Sequence, residues 1–128
     1  MIEPLKVHLA IQPGRADAAT LDREFDATGL AHYTWGNGPH DRYAEHTHPY
    51  EKTLVCLEGS IVFHVPGQAD LVLQPGDRLV LPPYTRHAAT VGPHGVRCIE
   101  AHRPVLTATA SPRQPAAHAG APRPERSQ

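Results

Sequence analysis

His46 and His48 stand one residue apart in the stretch Tyr43-Ala-Glu-His-Thr-His-Pro-Tyr-Glu-Lys. On an extended strand, residues i and i+2 project to the same face. The two imidazoles are then expected side by side, at a spacing that suits one metal ion. His87 follows the turn-rich run Leu81-Pro-Pro-Tyr-Thr-Arg-His. Three neutral imidazoles on a rigid wall make a facial set for one divalent transition metal, with Fe, Zn, Ni and Mn all compatible. Positions are left for water, substrate or O₂. Binding is expected to weaken below about pH 6, because imidazole titrates near 6.5. The remaining histidines carry less. His64 and His102 read as polar faces or as donors behind the site, and His8, His32, His94 and His118 as surface.

These side chains need a frame, and the rest of the chain supplies short strands. Leu5, Val7, Leu9 and Ile11 alternate with Lys6, His8, Ala10 and Gln12, a half-buried strand ended by Pro13-Gly14. The segment Ala16 to Ala27 is the one helix candidate, with Leu21 and Phe25 four apart on one face and Gly29 placed to stop it. Extended runs follow at Leu30 to Trp35, Arg42 to His48, Thr53 to Leu57, Ile61 to Val65, Leu71 to Leu73, Arg78 to Leu81, His87 to Val91 and Val96 to His102. Turn signals separate them, among them Glu58-Gly59-Ser60 and Gly92-Pro93-His94-Gly95. This rhythm predicts an all-β, antiparallel sandwich or barrel with one short N-terminal helix. A βαβ arrangement is excluded, since no helical pattern lies between the strands.

Composition narrows the function classes. The chain has 128 residues and a formal net charge of −1, which argues for one domain and against nucleic-acid or membrane partners. It contains no apolar run long enough to span a bilayer. The start, MIEPLKVHLAIQPG, lacks the apolar core and cleavage site of a signal peptide, so a cytoplasmic location is expected. Fourteen prolines and ten glycines oppose long helices. Cys56 and Cys98 are too few for a disulfide framework and read as buried thiols. From Pro104 to Gln128, Pro and Ala make up 11 of 25 residues, and the expectation is a flexible tail after a single domain spanning 1–103.

The histidines and their flanking glycines resemble the two motifs of the cupins. The first is Gly, five residues, His-x-His, three or four residues, Glu, six residues, Gly; His46, His48 and Gly59 are in register with it. The second is Gly, five residues, Pro-x-Gly, two residues, His, three residues, Asn; Gly76, Pro82 and His87 match. The resemblance covers about residues 30 to 102. It implies an antiparallel jelly-roll β-barrel and a metal held by His46, His48 and His87. The departures are specific. His40 stands at the first Gly, Tyr84 at the Gly of Pro-x-Gly, and Val91 at the Asn. Lys52 stands where the family's metal-binding Glu belongs.

Lys52 shares strand parity with His46 and His48, whereas Glu51 is out of phase unless a bulge after Pro49 restores it. An inward Lys52 is either an uncharged base or weak ligand, or a charged partner of Glu100, or a stem that fills space at the barrel mouth. Glu100 shares the parity of Val96 and Cys98 in the closing strand, so it is the best carboxylate for the pair. Trp35, Tyr43, Tyr50 and Tyr84 are candidates for the pocket mouth. Lys52, Arg42, Arg78 and Arg86 hint at an anionic group on the ligand.

Two functional readings follow. The first is a metal-dependent enzyme acting on a small organic molecule, with dioxygenase, lyase and isomerase chemistry all open. The second is a non-catalytic binding or sensing protein, motivated by the missing Glu. A storage role is disfavoured because there is no second barrel. Small cupins often pair through the N-terminal strand, so the resemblance implies that Leu5 to Ile11 could add to a neighbour's sheet edge and give a homodimer.

Overall fold

The computed structural model describes residues 9–14 and 17–105. Within them lie helix α1 (Ala18–Thr28) and strands β1 (Ala31–Asn37), β2 (Arg42–His46), β3 (Tyr50–His64), β4 (Leu71–Leu73), β5 (Arg78–Leu81) and β6 (His87–Pro104). Every strand pairing is antiparallel, in the order β1-β6-β3-β4, with β2 also on β6 and β5 also on β3. The expected fold class is therefore the observed one.

Asp17 caps α1 by accepting from the Ala19 N–H at 3.2 Å, so the helix starts after Asp17 rather than at Ala16. Gly29 ends it in the left-handed region at φ 73°, and its N–H donates to the Asp26 carbonyl. Leu21 and Phe25, one turn apart, are the buried residues of the helix.

Two expected turns are corrected. Glu58-Gly59-Ser60 and Gly92-Pro93-His94-Gly95 do not separate strands but lie within β3 and β6, which run 15 and 18 residues. Gly and Pro signal a bend, and a long strand absorbs a bend as a bulge. The β3–β6 register shifts between Cys56 and Glu58 and again between Gly59 and Ile61. Gly59 has φ 74°, and a Cβ there would stand 1.9 Å from the Gly95 carbonyl oxygen. No side chain fits at that crossing.

The bent β3–β6 pair presents two faces. Leu54, Cys56 and Cys98 lie in the main core with Ile61, Leu73 and Leu79. Val55, Ile99 and Ala101 point the other way and are sealed by Leu21 and Phe25 of α1. Cys56 and Cys98 are register partners, buried free thiols as expected. Ahead of the helix, Gln12 pairs with Arg78 through reciprocal backbone bonds of 2.9 Å, and the Leu9 backbone bonds the Gln68 side chain. Residues 9–12 thus dock on their own chain. Most of the expected Leu5 to Ile11 strand, and nearly all of the expected tail, lie outside the described residues. No described helix is long and apolar enough to cross a membrane.

Candidate metal centre

β2 ends at His46, whose register partner is His87, the first residue of β6. His48 is not on β2, which corrects the expectation of one strand carrying both histidines. Pro49 explains the break: it has no N–H to give and favours extended backbone before it. The His48 carbonyl accepts from the Tyr84 N–H at 2.6 Å. That bond ties the segment after β2 to the loop before β6 and brings His48 and His87 to one place.

One ligand nitrogen from each of His46, His48 and His87 lies within 4.8 Å of the others. The ring centroids are 4.7 Å apart for His46–His48, 4.4 Å for His46–His87 and 5.3 Å for His48–His87. Each Nδ1 has a partner. His46 Nδ1–H donates to the Ala44 carbonyl at 2.6 Å and His87 Nδ1–H to the Thr85 carbonyl at 2.8 Å. His48 Nδ1 pairs with the Tyr50 hydroxyl at 3.1 Å. The Nε2 atoms of His48 and His87 are buried with no hydrogen-bond partner. A buried imidazole nitrogen left unpaired costs free energy, and a metal ion is the partner that relieves several at once. The donor set fits the group: three nitrogen donors suit a first-row divalent transition metal and not Mg or Ca, which require oxygen.

Burial pushes the His48 imidazole down to about 3 and the His87 imidazole down to about 4, with nearby Lys52 acting in the same direction. Both rings are therefore neutral, the form a metal needs. The expected loss of binding near pH 6 is corrected for these two: their own protons compete only at more acidic pH.

Lys52 lies beside this triad. It is the third residue of β3, paired in register with His102, and 6 % exposed. Its Nζ stands 3.6 Å from Glu100 Oε2. Glu100 is 1 % exposed and already well supplied. It accepts from the Tyr33 hydroxyl at 2.8 Å, Trp35 Nε1 at 2.8 Å and His102 Nε2 at 2.6 Å. Burial alone would raise its pKa, but the His102 bond, the Lys52 charge and the Tyr33 bond outweigh it and hold the carboxyl at about 2. Burial lowers the Lys52 amine, against the pull of Glu100. A cavity of about 390 Å³, counted out to its open mouth, is lined by Trp35, Tyr43, His46, Lys52, Leu54, Phe63, His87, Ala89 and Glu100.

Other expectations resolve differently. Glu51 lies on the outside of β3, paired with Arg103 at 3.1 Å, so no bulge brings it to the histidines. Arg78 clasps Glu24 of α1 through two bonds near 3 Å, and Arg86 faces Glu45 at 3.9 Å. Neither they nor Arg42 line the cavity, so of the four cations considered only Lys52 does. Tyr84 is 68 % exposed and is absent from the lining, whereas Trp35 and Tyr43 belong to it. His64 bonds Asp70 and Thr90, a polar face as expected. His32 is not a plain surface residue: it bonds the Leu30 carbonyl and Asp22 and so fastens α1 to β1. Nothing in the sequence around Tyr33 signals its role. Its hydroxyl reaches a carboxylate 67 positions away, a contact made only by the β1–β6 register, which sets Tyr33 opposite Glu100.

An antiparallel barrel with a histidine cluster near one end of a cavity defines a class, and the comparisons name it. Residues 35–100 match the family described as "Cupin domain". That is more than half of the chain, and the chain belongs to the cupin family. No curated protein matches it in sequence. Among solved structures it is similar to the DMSP lyase DddQ from Ruegeria pomeroyi DSS-3, with 27 % identity and a TM-score of 0.56 over 60 % of this chain and 39 % of that one. A second structure, described as DMSP lyases RdDddP and RnDddQII, gives 25 % identity and a TM-score of 0.56 over 68 % of this chain and 44 % of that one. The chain thus spans less than half the length of either. An RmlC-like cupin from Shewanella frigidimarina NCIMB 400 shares the fold, at 23 % identity and a TM-score of 0.53 over 63 % of this chain and 71 % of that one.

The backbone explains two departures from the cupin motifs. His40 and Tyr84, standing where the family has glycine, are the non-glycine residues with positive φ, at 65° and 62°, among the described residues. The fold keeps the left-handed turn at both positions and tolerates a strain of about 1 kcal/mol each.

Proposed function

We propose that this chain is a metal-dependent cupin enzyme that processes a small organic molecule by lyase-type chemistry, with His46, His48 and His87 holding one divalent transition metal. The observation that carries this reading is the pair of buried, unpartnered Nε2 atoms on His48 and His87 beside His46. A metal bound there supplies a Lewis acid that polarises a substrate oxygen.

Lys52 is the proposed catalytic residue on the protein side, and Glu100 the group that positions it. Burial eases loss of the Lys52 proton, and in its uncharged form the amine would take a proton from the carbon next to the polarised group. The C–H electron pair then forms the new double bond while a leaving group departs with its own pair. The 25–27 % identity to two lyase structures supports an elimination over an oxygenation. The amine in the cavity wall supports it independently, as a base placed for proton abstraction.

Elemental analysis of untagged protein tests the reading. Near-stoichiometric transition metal is expected, and the His46→Ala, His48→Ala double variant should lose it. A metal-free protein with all three histidines intact would favour the non-catalytic binding cupin. Full metal in the double variant would show that the site is elsewhere.

A further inference from the structure

The charge of the cavity constrains what enters it. Histidines that ligate a metal are neutral, so three of them leave a dication uncompensated. The one carboxylate in the lining, Glu100, offsets a single charge, and that oxygen pair is already engaged by Tyr33, Trp35 and His102 at 2.6–2.8 Å. With Lys52 charged the loaded cavity carries two net positive charges, and with Lys52 uncharged it carries one. A net positive charge walled in by Leu54, Phe63 and Ala89 is costly without an anion.

Lys52 adds a direction to this charge. An amine has up to three N–H donors, and its ion-pair partner Glu100 stands at 3.6 Å, longer than each of the other three contacts to that carboxylate. Glu100 has three partners closer than Lys52, so the amine keeps N–H groups that can turn to a ligand. Its unspent N–H groups belong to a residue only 6 % exposed in the cavity wall.

Resting on the metal-site reading above, we infer that the cavity takes a small aliphatic carboxylate, its oxygens reached by Lys52 and its short carbon chain laid against Leu54, Phe63 and Ala89. The enclosed part of the cavity is narrow, which suits a short chain. The same class suits the proposed elimination, because a proton next to a metal-polarised carboxylate is the one a neighbouring amine can remove.

Trp35 is the one tryptophan of the chain, lines the cavity and donates to Glu100, so its emission reports occupancy directly. The experiment titrates the zinc-loaded full-length protein with butyrate and with its neutral isostere butyramide. Butyrate should bind about tenfold or more tightly, the ratio a hydrogen bond to a charged group supplies. Lys52→Met should reduce that preference several-fold, leaving the part owed to the zinc charge, while zinc stoichiometry stays at the wild-type level; Lys52→Gln, with circular dichroism as the folding check, replaces it if Met does not fold. Equal binding of butyramide and butyrate, or a preference that neither substitution reduces, overturns the inference. If the wild type takes up no zinc yet prefers butyrate in a Lys52-dependent way, the carboxylate inference holds and the metal-site reading fails.

Discussion

Strands β3 and β6 serve two regions at once, and alternate residues on them meet opposite demands. On the face under α1, Val55, Ile99 and Ala101 pack against Leu21 and Phe25, and the cluster is wholly apolar. On the inner face, successive register pairs change character over four residues of chain: Cys56 with Cys98, Leu54 with Glu100, Lys52 with His102. The outer face is built for burial alone, where stability rises with apolar area. The inner face gives up apolar area toward its mouth and keeps there an amine, a carboxylate and three imidazoles that cost stability when unpaired. Polar groups retained inside at such cost are candidates for function.

The largest expected effect falls on the outer face. Phe25 is 3 % exposed and packs with Leu21 against the sheet. Phe25→Ala should cost about 3–5 kcal/mol by lost burial and the cavity left behind, read as a fall in melting temperature. The metal content of the protein that remains folded should be unchanged. A parallel loss of metal would show that the two faces are coupled through β3 and β6.

Acid tests the inner face next. His87, 2 % exposed, has its imidazole held at about 4 by burial, below the ordinary 6.5, and His48 is lowered the same way. A depressed base is protonated first in the unfolded chain, so stability is full above pH 6.5 and falls as pH drops from there toward 4. His87 alone accounts for roughly 3 kcal/mol of that loss at most. Glu100 continues the trend: its carboxyl sits at about 2 instead of 4.5, so its contribution is present above 4.5 and lost as pH falls toward 2. Thermal unfolding of EDTA-treated protein at pH 7 and pH 4.5 should show the fall, and His87→Leu should flatten it. A curve that stays level in the wild type would contradict the buried, neutral imidazole.

What the chain discloses in advance follows the range of the interaction. Parity along β3 is local, so it separated Lys52, which lines the cavity, from Glu51, which pairs with Arg103 outside. The extension of that parity back to His46 and His48 does not hold, because the chain leaves the sheet between β2 and β3; the Tyr84–His48 backbone bond governs His48 instead. Gly59 and Gly92 to Gly95 mark bends correctly but not their kind, since a glycine at a bulge and one in a turn have the same composition. Tyr33 and Trp35 reach Glu100 from 67 and 65 positions away. Nothing near them in the chain signals that register.

A smaller effect separates the three histidines from one another. His46 and His87 are oriented by backbone carbonyls two residues behind them, which no substitution removes. His48 depends on a side chain, the Tyr50 hydroxyl, and that ring also stacks on His48 at 4.9 Å and on His102 at 4.0 Å. Burial raises the Tyr50 phenol to about 12, so its oxygen stays protonated and available to accept from His48 Nδ1–H. Tyr50→Phe keeps the stack and removes the acceptor. Metal affinity should weaken about 10- to 100-fold, the usual cost of losing the group that orients a ligand, measured by competition with a chromogenic chelator. Tyr33→Phe, which alters a contact to Glu100, should leave that affinity within a few-fold of wild type.

The smallest effect belongs to the neighbour that the register excludes. Glu51 sits one position before Lys52 and meets Arg103 at 3.1 Å, with side-chain exposures of 34 % and 57 %. An ion pair this open to water is screened and gains little beyond the entropy of holding two long side chains together, so Glu51→Ala should shift stability by no more than about 0.5 kcal/mol. Metal content should not change, because the carboxylate is on the far side of β3 from the imidazoles. Lys52→Glu, one residue on, should do the opposite: it adds a carboxylate to the wall that carries the histidines and should tighten metal binding. The paired measurement, metal content and melting temperature for both variants, reads the alternation of β3 directly. A Glu51→Ala protein that lost its metal would place that carboxylate on the ion and reverse the assignment of the two faces.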